Sequence, residues 1–117
     1  MVGMMKRGEV WTANLNPNKG AEIGKIRPVL VLQDDTLITG GLPTIVVVPL
    51  TSQFRPNLAP LRIPIAPQGR LKAASYVMAE QLRAIDRSRF GEGPLATVTA
   101  EELAAVEKSL RGVMGLW

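Results

Sequence analysis

The chain is expected to fold as a mainly β protein: a small antiparallel barrel or strongly bent sheet, completed by one amphipathic helix at its carboxyl end. Three observations carry this. Five or six short runs are aliphatic or alternate apolar with polar, each bounded by turn formers. No alternating strand–helix rhythm of a parallel sheet appears. A clear helical period occurs once, in the last eighteen residues or so.

Residues 9–15 alternate, with Trp11, Ala13 and Leu15 on one face and Val10 and Thr12 on the other, which predicts a first strand. Asn16-Pro17-Asn18-Lys19-Gly20 then opens a loop that runs to Lys25 and carries Lys19, Glu22 and Lys25. Its Gly20 and Gly24 permit mobility. Residues 25–33 form the chain's most distinctive run: Lys25-Ile26-Arg27-Pro28 leads directly into an aliphatic strand buried on both faces. Residues 34–41 read as a long hairpin loop, and residues 44–49 as a second buried strand. Paired residues of a hairpin have a nearly constant index sum, and this loop is centred near Ile38 or Thr39. Arg27 is thereby expected beside Leu50 or Thr51, at the polar Thr51-Ser52-Gln53 run.

Residues 54–60 form a loop with two prolines and an arginine. Residues 61–65 alternate, and Pro64, lacking a ladder donor, places that strand at an edge. Residues 67–72 make a basic turn with Arg70 and Lys72. Residues 75–85 read as one long strand, whose pattern is broken by Glu80, Gln81 and Arg83. Asp86 caps a helical turn that Gly91 ends. Residues 94–98 supply a last short strand. Thr99 and Glu102 then form a capping box, with Val98 and Leu103 as its hydrophobic staple. Leu103, Val106, Leu110 and Val113 or Met114 share one face of the terminal helix, a stripe that covers the sheet. There are no repeats or low-complexity tracts, so residues 1–117 are expected to be one domain.

Composition narrows the chemistry. The chain has no cysteine, which removes disulfides and thiolate chemistry, and no histidine, which removes the usual acid–base residue and the commonest metal ligand. Catalysis must therefore run on Arg, Lys, Asp, Glu, Tyr, Ser or Thr. No carboxylate cluster suited to a metal is evident. Fourteen basic residues against ten acidic give a net charge of +4, which favours a polyanionic partner provided the cations cluster. Residues 1–5 are apolar without a preceding basic region, unlike a signal peptide, and no apolar run approaches the roughly 18 residues of a membrane span. A cytoplasmic location is expected. Gly20-Ala21-Glu22-Ile23-Gly24 lacks the strand-to-helix setting of a nucleotide loop.

Five blocks occur in order: Lys6-Arg7-Gly8-Glu9-Val10-Trp11; Gly20-Ala21-Glu22-Ile23-Gly24; Arg27-Pro28-Val29-Leu30-Val31; Pro49-Leu50-Thr51-Ser52; and Glu80-Gln81-Leu82-Arg83-Ala84-Ile85-Asp86. Together they resemble the MazF/PemK/Kid family, the endoribonuclease toxins of type II toxin–antitoxin systems, over nearly the whole chain. The resemblance implies an SH3-like β-barrel homodimer that cuts single-stranded RNA, often mRNA, at short sequences. It also implies a MazE-like antitoxin partner whose extended tail covers the RNA groove, DNA binding through that complex, and no cofactor. By the same resemblance, Arg27 and Thr51 match the cleavage residues, Glu22 a loop acid that shapes the site, and Glu80 and Gln81 a polar pair near the RNA. Lys25, Ser52 and Gln53 complete the expected substrate-binding set. The chain departs from some relatives, with Ala21 in place of a histidine and Met78-Ala79-Glu80 in place of an Arg-x-Asp.

Cleavage by attack of the RNA's own 2′-hydroxyl leaves 2′,3′-cyclic phosphate and 5′-hydroxyl ends. It needs a base, an acid for the leaving oxygen, and stabilisation of an anionic phosphorane. The planar fork of Arg27 suits the last role, and Thr51 can donate to the phosphate or relay a proton. Glu22 and Glu80 are both candidates for the base. Two other classes fit the same fold: a gyrase poison of the CcdB type, which would use the terminal aromatic Trp117, and a non-catalytic SH3-like nucleic-acid-binding module.

Overall fold

The computed structural model describes residues 5–116. The expectations for residues 1–4 and for Trp117 lie outside them. Seven strands form one antiparallel sheet: β1 (Glu9–Asn14), β2 (Ile26–Val31), β3 (Thr44–Thr51), β4 (Arg62–Ile65), β5 (Ser75–Met78), β6 (Arg83–Asp86) and β7 (Ala96–Thr97). The order runs β4-β5-β3-β2-β1-β7, with β6 also paired to β3, and the sheet curls into a partial barrel. Pro64 lies on the edge strand β4, where its missing N–H costs no ladder bond.

β3 organises the curl. Along one side it pairs with β2; along the other it pairs first with β6 and then with β5. Val47 faces Arg83 and Leu50 faces Val77, so three steps along β3 match six along its partner. The three extra residues are taken up by the 3₁₀ turn Ala79–Gln81. This corrects the expected single strand over residues 75–85 and raises the strand count to seven. The polar residues Glu80 and Gln81 mark the break rather than an exposed strand face.

Both faces of β2 and β3 are buried, as their aliphatic runs require. Val10, Leu30, Val48, Leu50, Ile65 and Val77 pack inside the curl, closed by Val106 and Leu110 of the helix α2 (Ala100–Met114). Trp11, Ala13, Val29, Val31, Ile45, Val47 and Ile85 pack on the opposite face. Trp11 there meets Phe90 edge-on, with ring centroids 6.5 Å apart.

Residues 34–41, expected to be a hairpin loop, contain a one-turn helix, α1 (Asp35–Thr39), which plugs the second core with Ile38. Asp34 caps it by accepting the Thr36 N–H. So short a helix has too few turns to display a period. The Asp86 cap is present, but its 3₁₀ turn, Arg87–Arg89, ends at Phe90 and not at Gly91. Gly91 serves a close approach instead: a Cβ there would lie 2.7 Å from Thr12 Oγ1. The loop of residues 54–60 likewise contains a 3₁₀ segment, Pro56–Leu61.

Helix α2 begins at the expected capping box, with both reciprocal bonds between Thr99 and Glu102 formed. Val106 and Leu110 are buried, whereas Val113 and Met114 at its carboxyl end are exposed. The helix packs over β4 and the turn Ala79–Gln81. It is tied down by Arg7 to Glu107 at 2.7 Å, and by Glu102, which accepts from the Ala66 N–H and the Gln68 amide. No helix among the described residues is long and apolar enough to cross a membrane.

Candidate active site

The β2–β3 ladder pairs Val31 with Val47 and Val29 with Pro49. Continuing that register sets Arg27 across from Thr51, as the hairpin arithmetic predicts. The two residues and Ser52 together line two adjoining recesses, of about 300 Å³ and about 480 Å³. The smaller adds Gln53, Arg55 and Arg62, and the larger adds Lys25, Arg70 and Lys72. Six cations thus face this cleft, and no carboxylate lines either recess. The modest net charge of +4 is concentrated where it can act on an anion.

Local chain geometry holds Arg27. Its Nε donates to the Gly24 carbonyl at 2.9 Å, and its two terminal nitrogens donate to nothing among the described residues. Gly24 is buried against Asn16 and Asn18, and a Cβ there would lie 2.7 Å from Asn16 Oδ1. Lys25 follows with φ 69°, a left-handed conformation that disfavours a side chain, held by bonds between its N–H and Asn16 Oδ1 and between its carbonyl and the Leu15 N–H. The loop is therefore fastened at its end by asparagine side chains, contrary to the mobility expected from its glycines. Thr51 Oγ1 accepts from the Gln53 N–H at 3.2 Å, so the hydroxyl proton is available to donate outward. Beside Thr51, its ladder partner Tyr76 meets the half-exposed ring of Phe54, with centroids 5.1 Å apart.

The expected site residues fall into two groups. Arg27, Thr51, Lys25, Ser52 and Gln53 share the cleft, whereas Glu22, Glu80 and Gln81 line a separate groove with Arg83 and Arg89. Glu22 turns its carboxylate onto its own loop, accepting from the Lys19 N–H at 2.9 Å. Gln81 is a latch: its amide oxygen accepts from the Ile23 N–H and from Arg83, and its nitrogen donates to the Ala21 carbonyl. Glu80 accepts from Arg62 at 2.5 Å and so touches the cleft through that arginine.

Arg55, Arg62, Phe54 and Tyr76 are absent from the sequence expectation. For Phe54 and Arg55, their place directly after Thr51-Ser52-Gln53 is a signal that points to them. Arg62 left none, because alternation over residues 61–65 sets it opposite the apolar positions, whereas in the fold it is buried at the start of β4. Three carboxyls are held below their usual range, all at caps. For Asp34 and Asp86 the main cause is a hydroxyl donor, Thr36 and Ser88 respectively, followed by the same residue's N–H. For Glu102 burial pushes upward, and donors including the Thr99 and Ala66 N–H groups outweigh it. Among the described residues no three acidic side chains converge on a metal position.

A curled antiparallel sheet closed by a carboxyl-terminal helix, with an arginine–threonine pair at one sheet end, defines a class. The chain belongs to the PemK-like, MazF-like toxins of type II toxin–antitoxin systems, whose family profile matches residues 6–114. Within that class it is 34% identical over 119 residues to endoribonuclease MazF9 of Mycobacterium tuberculosis, covering 97% of this chain and 99% of the relative. Its fold is similar to that of MazF from Deinococcus radiodurans (crystal form I), with TM-score 0.81 and 28% identity over 96% of this chain and 97% of the other. It is also similar to a chain of the MazE–MazF complex from the same organism (form II), with TM-score 0.74 and 27% identity over 97% of each chain. The family expected from the five sequence blocks is the family found.

Proposed function

We propose that this toxin is a sequence-specific endoribonuclease that cleaves single-stranded RNA, mRNA included, at the Arg27–Thr51 cleft without a metal ion. The observation that carries the reading is the pair itself. A guanidinium with its terminal nitrogens unspent stands across from a hydroxyl free to donate, in a cleft whose charged lining residues are all cations. Arg27 binds the non-bridging phosphate oxygens and gains strength as the phosphorane develops charge. The 2′-oxygen bonds to phosphorus and the bond to the 5′-oxygen breaks, leaving a 2′,3′-cyclic phosphate and a 5′-hydroxyl.

Since neither Glu22 nor Glu80 lines the recesses that hold Arg27, the proton passes through Thr51. Its oxygen takes the 2′-hydroxyl proton while its own proton moves to a phosphate oxygen and then to the departing 5′-oxygen. Lys25, Ser52 and Gln53 contact the RNA beside the scissile phosphate. Glu22 and Gln81 shape the loop that presents Arg27, and Glu80 acts next to the cleft through Arg62.

In this reading residues 1–117 work as one unit, as a homodimer in the cytoplasm, and a MazE-like antitoxin silences the cleft. The MazE–MazF complex of D. radiodurans supports the antitoxin partner. The test is incubation of single-stranded RNA in EDTA with wild type and with Arg27→Ala, mapping the product ends. Cleavage by wild type with cyclic-phosphate ends, lost in the variant, is expected. Equal cleavage by both would remove Arg27 from the mechanism, and wild type inactive in EDTA but active with magnesium would overturn metal independence.

A further inference from the structure

We propose that Arg62 is a further substrate-contacting residue of this cleft, whose Nε–Nη2 edge takes a phosphate of the RNA while Glu80 holds its Nη1. The proposal rests on the reading of the cleft as an RNA-cleaving site and gives Arg62 a contact with substrate that the reading does not assign.

Arg62 opens the edge strand β4, across from Met78, and is only 7% exposed. Its Nη1 donates to Glu80 Oε1 at 2.5 Å and reaches the Leu61 carbonyl at 3.5 Å. Its Nε is buried and has no acceptor among the described residues, and its Nη2 donates to none of them. Those two nitrogens share one edge of the planar guanidinium. Their N–H bonds point the same way and form the side-on fork that grips two oxygens of a phosphate or carboxylate. The occupied group and the free edge are therefore distinct.

A guanidinium buried for stability alone is expected to spend its donors on protein acceptors, because an unpaired buried donor forfeits its hydration with no return. Here Nη1 is anchored, Nε and Nη2 have no acceptor among the described residues, and the side chain lines the recess shared with Arg27, Thr51 and Arg55. That recess is about 300 Å³ and has no carboxylate in its lining, so the missing acceptors come from solvent or from an anionic ligand that displaces it. A water occupies about 30 Å³, so a phosphate group fits with room for solvent.

The support is rigid. Arg62 and Glu80 belong to the two elements on which α2 packs, and Ser109 of that helix donates to the Pro60 carbonyl just before β4. A cation fixed in this way gives up little freedom when phosphate arrives. Glu80 is then a positioning residue: it orients Arg62, and it is not the base.

The experiment compares wild type, Arg62→Gln and Arg62→Lys by three measurements. These are kcat/KM on single-stranded RNA, the salt dependence of binding to an uncleavable single-stranded oligonucleotide with 2′-O-methyl riboses, and the thermal midpoint. For Arg62→Gln we expect kcat/KM to fall about 10- to 100-fold, and the slope of log affinity against log salt to flatten by about one. For Arg62→Lys we expect a retained slope with kcat/KM about tenfold down, because an ammonium keeps the charge and loses the fork. Folded Arg62→Gln that cleaves within twofold of wild type, or binds with the wild-type salt slope, overturns the proposal. If Arg62→Gln does not fold, wild-type cleavage by Arg62→Lys overturns it. The binding arm decides without cleavage, so an inactive wild type would count against the endoribonuclease reading and not against this one.

Discussion

At the Thr44 end of β3, polar side chains are spent on the protein. Asp86, paired across from Thr44, accepts from the Ser88 N–H at 2.9 Å, and Asp34 caps α1. Arg87 donates to the carbonyls of Leu42 and Ile38, both at 2.6 Å. At the Thr51 end of the same strand the inventory is similar, but the donors are left over: the terminal nitrogens of Arg27, the Thr51 hydroxyl proton and one edge of Arg62. Exposure alone does not separate the two ends, since Arg27 and Arg87 are both half-buried. What separates them is whether the chain supplies acceptors. A guanidinium whose Nε and Nη2 both donate to carbonyls is a brace, and one with a free fork on an acid-free wall is a binding group.

The comparison breaks most visibly at Arg27. Arg27→Ala is expected to lower cleavage by about two to three orders of magnitude, the usual cost of a preorganised charge donor, with the thermal midpoint unchanged. The mirror experiment is Arg87→Ala, where the expected loss is about 2 kcal/mol of stability for two carbonyl bonds to a charged donor. Denaturant unfolding measures it, and kcat/KM per folded molecule should stay at the wild-type value. A stable Arg87→Ala that loses activity would erase the distinction between the two ends.

A smaller effect sharpens the boundary. Gln81 lies at the break between β5 and β6 and latches the loop that presents Arg27, through Ile23 and Ala21. Gln81→Ala is expected to reduce kcat/KM about tenfold by misplacing that arginine, and to expose residues 16–25 to protease. Unchanged kinetics with a protease-sensitive loop would show that the latch does not position Arg27.

The smallest effect is in pH. The folded Asp86 carboxyl lies below its usual range, chiefly through the Ser88 hydroxyl and then its N–H. Its contribution is therefore present above the unfolded aspartate value and is lost as pH falls through the depressed folded one. Wild type should exceed Asp86→Asn in stability at neutral pH, with the gap closing on acidification. A gap independent of pH would assign the difference to geometry and not to charge.

Much of this fold is legible locally. The β-branched runs that became β2 and β3, Pro64 on an edge, and the Thr99–Glu102 box each rest on neighbouring residues. The facing of Arg27 and Thr51 was legible too, because a hairpin's register follows from where its loop is centred. Legibility failed where the cause was distant. The strand expected over residues 75–85 breaks because its partner β3 receives two segments offset by three residues, and α1 is too short for its capping aspartate to be read against a period.

The sequence by itself determined the aliphatic two-sided core, the absence of any histidine or thiol chemistry, and the candidate pair at the shared end of two aliphatic runs. Those are properties of residue type and near-neighbour spacing. Only the tertiary structure decided that Gln81 spends its amide on a loop 58 residues away, that six cations line one cleft, and that Arg62 is buried with one edge unspent. Those depend on which acceptors the closed sheet brings within reach, and chain order does not specify such distances.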